Sequence, residues 1–259
     1  MTEPRKPRFT KRVLLFGLLG LFTLLIYFYY FAGSVNVIDV IMRTNLYYYA
    51  TAFIAFLISV FFSSLSWRTL LSNLAIKISI RRVLLFMWFG MFFDTTVPDP
   101  GWSGDFTKAY MLAKASGQDA GRIAASVVGQ KIILMGITIM DLILGLALLV
   151  WRYTLSSIVL VFVVFFLFLS IFAFASICYL CAKPQATKRI LDWLIRAISF
   201  IRGVSWNPLN FRLKAEETLN KFHEGMQTLI ANPKALARPV AFSILGWNFD
   251  VLVIFLTFI

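Results

Sequence analysis

The stretch that decides the fold is DTTVPDPGWSGD, from Asp94 to Asp105. It directly follows the apolar segment Val83 to Phe93, which is only about half as long as a helix needs to cross a bilayer. The prolines and glycines of the stretch remove backbone donors and allow conformations that interrupt a helix. Irregular backbone beside a membrane core is tolerated only where protein buries it or where it lines a wet cavity. The stretch therefore predicts a broken helix that carries a polar site.

Composition assigns this stretch to a membrane protein. Of the 259 residues, 60% are apolar, 17% are aromatic and only 14% are charged, whereas soluble domains contain about 25% charged residues. The net charge is +13, but the basic residues cluster beside apolar segments. This pattern is typical of contact with anionic lipid head groups and of the positive-inside rule. The predicted partners are therefore membrane lipids with anionic head groups, and no nucleic acid is expected.

The apolar stretches predict an all-α, polytopic transmembrane helical bundle. Full spans are expected at about 13–31, 46–65, 132–150, 155–180 and 240–259. The basic residues of the first segment and the single arginine of the following loop place the N-terminus in the cytoplasm, with the protein in the cell (plasma) membrane. The last apolar run has no polar flank, so we expect a single membrane domain that lacks its C-terminal helices.

Two topologies fit the broken segment, about 83–116. If it crosses the membrane fully, the basic linker between Cys181 and Pro239 falls outside; if it enters and returns, the linker stays inside. The positive-inside rule favours the second topology, a re-entrant broken helix entered from the cytoplasm.

The polar linkers predict helices along the cytoplasmic interface. The segment 66–82 contains apolar residues at helical spacing, which predicts a short helix lying in the interface. The segment 187–202 has a basic face opposite an apolar face, typical of an interfacial amphipathic helix. The segment 212–232 has a narrow apolar stripe, so we expect it to pack on the inner face of the bundle.

Metal and redox chemistry are not predicted. Cys178 and Cys181 form a CxxC at the end of an apolar run, and the single histidine, His223, is far away in the sequence. Without further ligands nearby, this spacing favours two small residues on a helix end. We expect no metal, no cofactor and no catalytic residue.

Acidic residues beside or inside the apolar segments are candidate functional groups. Asp141 lies near the middle of the span 132–150, where an ionised carboxylate costs a few kcal/mol. It should face the bundle interior, with Lys131 or Arg122 as its partner. Asp94 and Asp105 bracket the central stretch and could serve as acid/base groups, cation ligands or helix caps.

Further candidate residues could cap a helix or bind an anion. Ser103 or Asp105 could form the N-cap of a helix that covers 106–115, and Asp119 could cap the helix that continues into the next span. Lys108 and Arg122 could bind a lipid phosphate, although the positive-inside rule alone also explains them.

The order of several motifs resembles the flippase-like family, which comprises the transmembrane region of lysylphosphatidylglycerol synthases and related uncharacterised inner-membrane proteins. The resemblance rests on these residues: Trp67-Arg68-x-Leu70-Leu71, Pro98 to Gly104-Asp105 with Lys108, Tyr110 and Leu112, Ala124 to Val128, and Glu216 to Trp247. Three positions depart from the family pattern. Ser103 replaces a glycine, Lys108 replaces a basic residue that is usually arginine, and Gln130-Lys131 replaces an acidic residue and an arginine.

The resemblance implies a flippase that moves an anionic, aminoacylated or polyprenyl-phosphate-linked lipid between leaflets. The lipid path would then include Asp94, Pro98, Ser103, Gly104, Asp105, Lys108, Arg122 and Asp141. The alternative is a membrane-embedded glycosyltransferase or its accessory subunit in a lipid-linked sugar pathway, and a third hypothesis is a scaffold for a lipid-modifying enzyme. No aminoacyl-transferase domain accompanies the spans in this sequence, so the interpretation favours a protein that is not an enzyme.

Overall fold

The computed structural model describes residues 45–97, 101–153, 156–202 and 209–259, together with Phe22 and Ile26. Within these residues the chain is helical and contains no strand, which confirms the predicted all-α polytopic fold. The helices are α1 Leu46–Asn73, α2 Ile80–Thr96, α3 Ser103–Ser116, α4 Ala120–Arg152, α5 Ser157–Ala182, α6 Pro184–Arg202, α7 Leu209–Ala231 and α8 Pro233–Thr257. The predicted first span, 13–31, lies outside the described residues apart from Phe22 and Ile26, which are both helical.

The chain divides into two compact units, Met1–Thr51 with Ile259, and Ala52–Phe258. In the first unit, the described residues include the start of α1, where the Asn45 side-chain oxygen accepts a hydrogen bond from the backbone N–H of Tyr47. The second unit contains the rest of α1 and the helices α2 to α8.

Four of the described helices, α1, α4, α5 and α8, are long and apolar enough to cross a membrane. Each overlaps one of the apolar stretches that predict a full span. α4 begins well before its apolar stretch, as the sequence predicts, with Asp119 at its N-cap position. Asp119 does not cap the helix with its side chain; its carboxylate lies 4.0 Å from Arg122 Nε.

α2 and α3 form an antiparallel hairpin. Asp94 of α2 contacts Gly104 of α3, and Gly90, one turn earlier on α2, lies against Gly104 and Lys108. The residue order along the two helices is therefore opposite, so the chain reverses direction between Thr96 and Ser103. This reversal is the geometry that a re-entrant segment requires; its depth in the membrane and its side of entry remain predictions.

The segment 66–82 does not form a separate interfacial helix, so that prediction is wrong. α1 continues to Asn73, and Trp67, Leu70 and Leu71 are fully buried. The chain turns at Ala75, whose φ of 62° is positive, before α2 begins. Helical spacing of apolar residues is the same whether they face lipid or other helices, and here they face the core of the bundle.

The core lies where α1, α4 and α7 meet the hairpin. Its largest fully buried side chains include Trp67, Leu70, Leu71, Val83, Leu112 and Ile123. Met226 and Leu229, from the predicted apolar stripe of α7, are buried in the same cluster. Small residues allow α7 to approach α4 closely: a β-carbon at Gly225 would lie 2.8 Å from the Ala125 Cβ. Close packing at small residues is typical of helix pairs in membranes.

Gly121 provides a test of this packing. An added methyl group would collide with the carbonyl oxygen of Thr218 and would lie 2.7 Å from the Lys221 Cβ. We expect Gly121→Ala to destabilise the protein by about 1–3 kcal/mol, as overpacking does, and to lower the apparent melting temperature in detergent. Gly145→Ala is the matched control, because nothing lies within 4 Å of an added β-carbon on that part of α4. Equal melting temperatures for the two variants would contradict the described contact.

Candidate functional site

The N-terminus of α3 is held by a carboxylate from α2. Asp94 Oδ1 accepts hydrogen bonds from the backbone N–H of Gly104 at 2.7 Å and from the Ser103 hydroxyl at 3.3 Å. A carboxylate at this position satisfies a free helix donor and interacts favourably with the helix dipole. Gly104 is required here, because a β-carbon would collide with the Asp94 carboxylate and with the carbonyl oxygen of Gly90.

The predicted N-cap of α3 is wrong. Trp102 occupies the N-cap position and makes no side-chain cap bond, while Ser103 and Asp105 already lie within the first turn of the helix. The cap comes instead from Asp94 on the neighbouring helix. A residue nine positions before Ser103 can do this only because the hairpin brings the end of α2 back to the start of α3.

Asp105 joins two lysines from different helices. Its Oδ1 atom lies 2.7 Å from Lys108 Nζ on the same helix, and its Oδ2 atom lies 2.9 Å from Lys131 Nζ on α4. Lys131 also donates a hydrogen bond to the carbonyl oxygen of Gly101 at 2.8 Å. The exposed fractions of the side chains are 13% for Asp105, 10% for Lys108 and 28% for Lys131. The pairs are therefore largely shielded from water, and Lys131 is the most accessible of the three.

Further contacts connect these charges to α1. Lys108 Nζ lies 3.4 Å from Gln130 Oε1 and 5.3 Å from the centre of the Trp67 ring. Gln130 in turn donates a hydrogen bond to the carbonyl oxygen of Ser63 at 2.9 Å. We call Asp105, Lys108, Gln130 and Lys131 the Asp105 cluster.

Indole rings shield both ammonium groups. Trp67 lies beside Lys108, and Trp102 lies beside Lys131 with its ring centre 5.0 Å from Nζ. An indole face attracts a cation and removes water from around it. The Trp67 ring is itself fixed, because its Nε1–H donates to the Ser126 hydroxyl at 2.9 Å. Lysines held in this way keep a defined position and can present their charge to an anion.

The Asp105 cluster carries more positive than negative charge. Two ammonium groups share the Asp105 carboxylate, while the neighbouring Asp94 carboxylate is bound by the N-terminus of α3. An additional anion can therefore approach Lys131 without leaving Asp105 unpaired. Phosphate and carboxylate oxygens are the usual partners of lysine. The arrangement can therefore bind an anionic head group through Lys131, its most exposed cation.

The position of the cluster along the helices is defined by its contacts. Ser63 lies near the end of the apolar stretch 46–65, and Gln130 and Lys131 directly precede the apolar stretch 132–150. The Asp105 cluster is therefore level with the polar ends of both stretches. This is where a lipid head group would lie if these stretches span a bilayer.

Of the predicted path residues, Asp94, Ser103, Gly104, Asp105 and Lys108 come together at the start of α3. Two other predicted residues lie elsewhere, because the rise of α4 separates them from Lys131 by about 14 Å and about 15 Å. These are Arg122, near the start of α4, and Asp141, in its second half. Pro98 lies outside the described residues.

Arg122 and Asp141 each have other partners. Arg122 lies 4.0 Å from Asp119 and 3.7 Å from Glu224 of α7, and its side chain is partly exposed. The Asp141 carboxylate accepts a hydrogen bond from the indole N–H of Trp247 on α8. The prediction that Lys131 or Arg122 pairs with Asp141 is therefore wrong, since all three residues lie on α4 at well-separated positions along the helix.

The sequence does not identify Lys131, Gln130 and Trp67 as residues that form the site or hold its side chains in position. The available signal was the pair Gln130-Lys131. These two polar residues directly precede an apolar stretch, and they replace two charged residues of the family pattern. The contact with Asp105, 26 residues earlier in the chain, has no local signature in the sequence.

These features define an integral, multi-span membrane protein whose polar centre is built on a helical hairpin. Residues 13–259 match the family described as the lysylphosphatidylglycerol synthase TM region, and the chain belongs to this family. The resemblance found in the motifs is thereby confirmed.

The chain is also similar to a UPF0104 membrane protein from Methanothermobacter thermautotrophicus (strain ATCC 29096 / DSM 1053 / JCM 10044 / NBRC 100330 / Delta H). The two are 22% identical over 235 residues, an alignment that covers 87% of this chain and 66% of the relative. No solved structure matches this chain.

Proposed function

We propose that this protein is a lipid flippase that moves an anionic, aminoacylated or polyprenyl-phosphate-linked lipid between the leaflets of the cell membrane. The observation that carries the proposal is the Asp105 cluster, in which one carboxylate holds two shielded lysines at the tip of a helical hairpin. Membership of the lysylphosphatidylglycerol synthase TM region supports a lipid as the substrate class. Transporters commonly build their substrate sites on interrupted helices.

The first step in this proposal is an exchange of partners at Lys131. The phosphate of an entering lipid takes the place of an Asp105 oxygen on the Lys131 ammonium, which is the more exposed of the two lysines. Asp105 retains Lys108, so neither the carboxylate nor the second lysine is left without a partner. An exchange of this kind keeps the barrier low, because no buried charge becomes unpaired.

Two acidic residues within the apolar helices suit a head group that also carries an amine. Asp141 contacts Trp247, and Asp250 interacts with the Ser59 side chain. Both carboxylates lie within helices that are long and apolar enough to span a membrane. Intramembrane acids commonly mark substrate pathways, and here they could accept the ammonium group of an aminoacylated lipid after its phosphate leaves Lys131.

The re-entrant topology requires Ala115 to lie on the cytoplasmic side and Trp151 to lie outside. Both positions are exposed, and a Cys178→Ser, Cys181→Ser background removes the native thiols. We expect a membrane-impermeant thiol reagent, applied to intact cells, to label Trp151→Cys and to leave Ala115→Cys unlabelled until the cells are opened. The reverse pattern would support a full crossing by the segment 83–116 and would exclude the hairpin entered from the cytoplasm.

Leaflet exchange in liposomes tests the transport proposal. The purified protein is reconstituted with fluorescent phosphatidylglycerol or polyprenyl phosphate, and exchange is followed by quenching of the outer-leaflet dye. Charge-assisted hydrogen bonds contribute about 1.5–3 kcal/mol, so we expect Lys131→Gln to slow exchange at least about tenfold and to weaken lipid binding. Asp105→Asn should also slow exchange but should retain the lipid more tightly, because both lysines then lack their anion.

Glu216→Gln is the matched control for neutralising a carboxylate. Glu216 pairs with Arg212 at 2.9 Å on an exposed part of α7, and its loss should leave exchange unchanged. Exchange by the parent protein that is no faster than in empty liposomes, for both lipid classes, would overturn the flippase proposal. Sugar transfer from a nucleotide donor under these conditions would support the glycosyltransferase alternative instead.

A further inference from the structure

A second feature of the molecule is an apolar groove between the two amphipathic helices and α4. Its volume is about 530 Å³, within the usual size of small-ligand sites. The groove residues are Ala124 from α4, Thr187, Ile190 and Leu191 from α6, and Phe211, Lys214, Ala215, Thr218, Leu219 and Phe222 from α7. None of them belongs to the Asp105 cluster, and the inference does not depend on the transport proposal.

The polar atoms of this groove are already satisfied, with one exception. The Thr187 hydroxyl donates to the carbonyl oxygen of Leu180 at 2.9 Å, and the Thr218 hydroxyl donates to that of Lys214 at 2.8 Å. Both threonines therefore offer mainly their methyl groups to a ligand. The Lys214 ammonium forms no ion pair within the described part of the chain. The groove thus combines an apolar channel with a single available cation.

The Lys214 cation and the apolar surface of the groove lie one after the other along α7. Thr218 lies against Gly121, and Leu229, further along α7, lies against Gly129. α7 therefore runs beside α4 toward the apolar stretch 132–150. Lys214 lies on the side of the groove away from that stretch, about 12 Å along the helix from Phe222. At Ala124 the groove lies about 10 Å beyond Lys131 along α4, so a lipid bound there is drawn partly out of the leaflet. It keeps the same order, with its head group away from the bilayer centre and its chains toward it.

The outer surface beside the groove also suits a bilayer. On α6, Trp193 and Ile190 are 63% and 42% exposed, and the helix carries Lys188, Arg189 and Arg196 as well. Exposed aromatic and aliphatic side chains combined with basic residues are typical of helices that lie at an anionic membrane surface. These features favour a lipid as the ligand of this groove.

We propose that the groove between α6, α7 and α4 binds an acyl chain of an anionic phospholipid, whose phosphate pairs with Lys214. The apolar chain occupies the channel between Leu191, Leu219 and Phe222. A lipid in this position holds the two amphipathic helices together at the membrane surface, in addition to the Arg212–Asp192 ion pair at 2.9 Å.

Photolabelling in nanodiscs tests this site. The purified full chain is reconstituted with a trace of phosphatidylglycerol or phosphatidylcholine that carries a photoreactive diazirine on one acyl chain, and labelled peptides are mapped by mass spectrometry. Ala215→Trp fills the groove, with Gln227→Trp on an exposed part of the same helix as its control. Lys214→Gln removes the cation, with Lys234→Gln as its control. Leu219→Gln provides a second groove variant should Ala215→Trp fail to fold.

We expect the phosphatidylglycerol probe to label groove peptides. The tryptophan ring of Ala215→Trp should displace two methylene groups of the acyl chain from the groove, and this should lower the labelling about tenfold. Loss of one lysine should lower it about fivefold in Lys214→Gln, and the control variants should label as the parent does. Unchanged labelling in Ala215→Trp and Leu219→Gln would overturn the site, as would a copurified polypeptide in the groove. Equal labelling by both probes would overturn the assignment of an anionic lipid.

Discussion

The Asp105 carboxylate is the constraint on which the polar centre depends. It lies between two ammonium groups from α3 and α4, and those lysines are in turn fixed by Trp67, Trp102 and Gln130. Shielded charges must be paired, because an unpaired ion away from water costs several kcal/mol. Asp105 therefore sets the position of the hairpin against α4 and binds two ammonium groups, one of which can accept an incoming anion.

Close backbone packing makes this arrangement possible. Gly90 and Gly104 let α2 and α3 approach until the Asp94 carboxylate reaches the first turn of α3. Gly121 and Gly225 do the same for α4 and α7. In a bilayer, helix association relies on such contacts and on interhelical hydrogen bonds, since lipid chains are as apolar as the helix surfaces. The hairpin and the core are therefore stabilised by close packing of complementary surfaces and by a few interhelical hydrogen bonds, rather than by hydrophobic burial alone.

The sequence predicts those features that depend on local composition. Apolar runs identify α1, α4, α5 and α8, and the prolines and glycines between Asp94 and Asp105 predict the chain reversal. The sequence does not predict which side chains meet across helices. The cap of α3 by Asp94, the pair Asp105–Lys131 and the burial of Trp67 all depend on lateral packing. The Asp141 assignment failed for the same reason, because its partner Trp247 lies on another helix.

The central claim is that Lys131 exchanges Asp105 for a lipid phosphate. Solid-state NMR on protein with ¹⁵N-labelled lysine, in bilayers of anionic phospholipid, measures the dipolar coupling between the lysine ammonium and the lipid phosphorus. The account predicts a Lys131 component of this coupling, separate from the signals of Lys214 and the other lysines, that is lost in Lys131→Gln and increases in Asp105→Asn, where the competing carboxylate charge is absent. A coupling that does not change in either variant would contradict it.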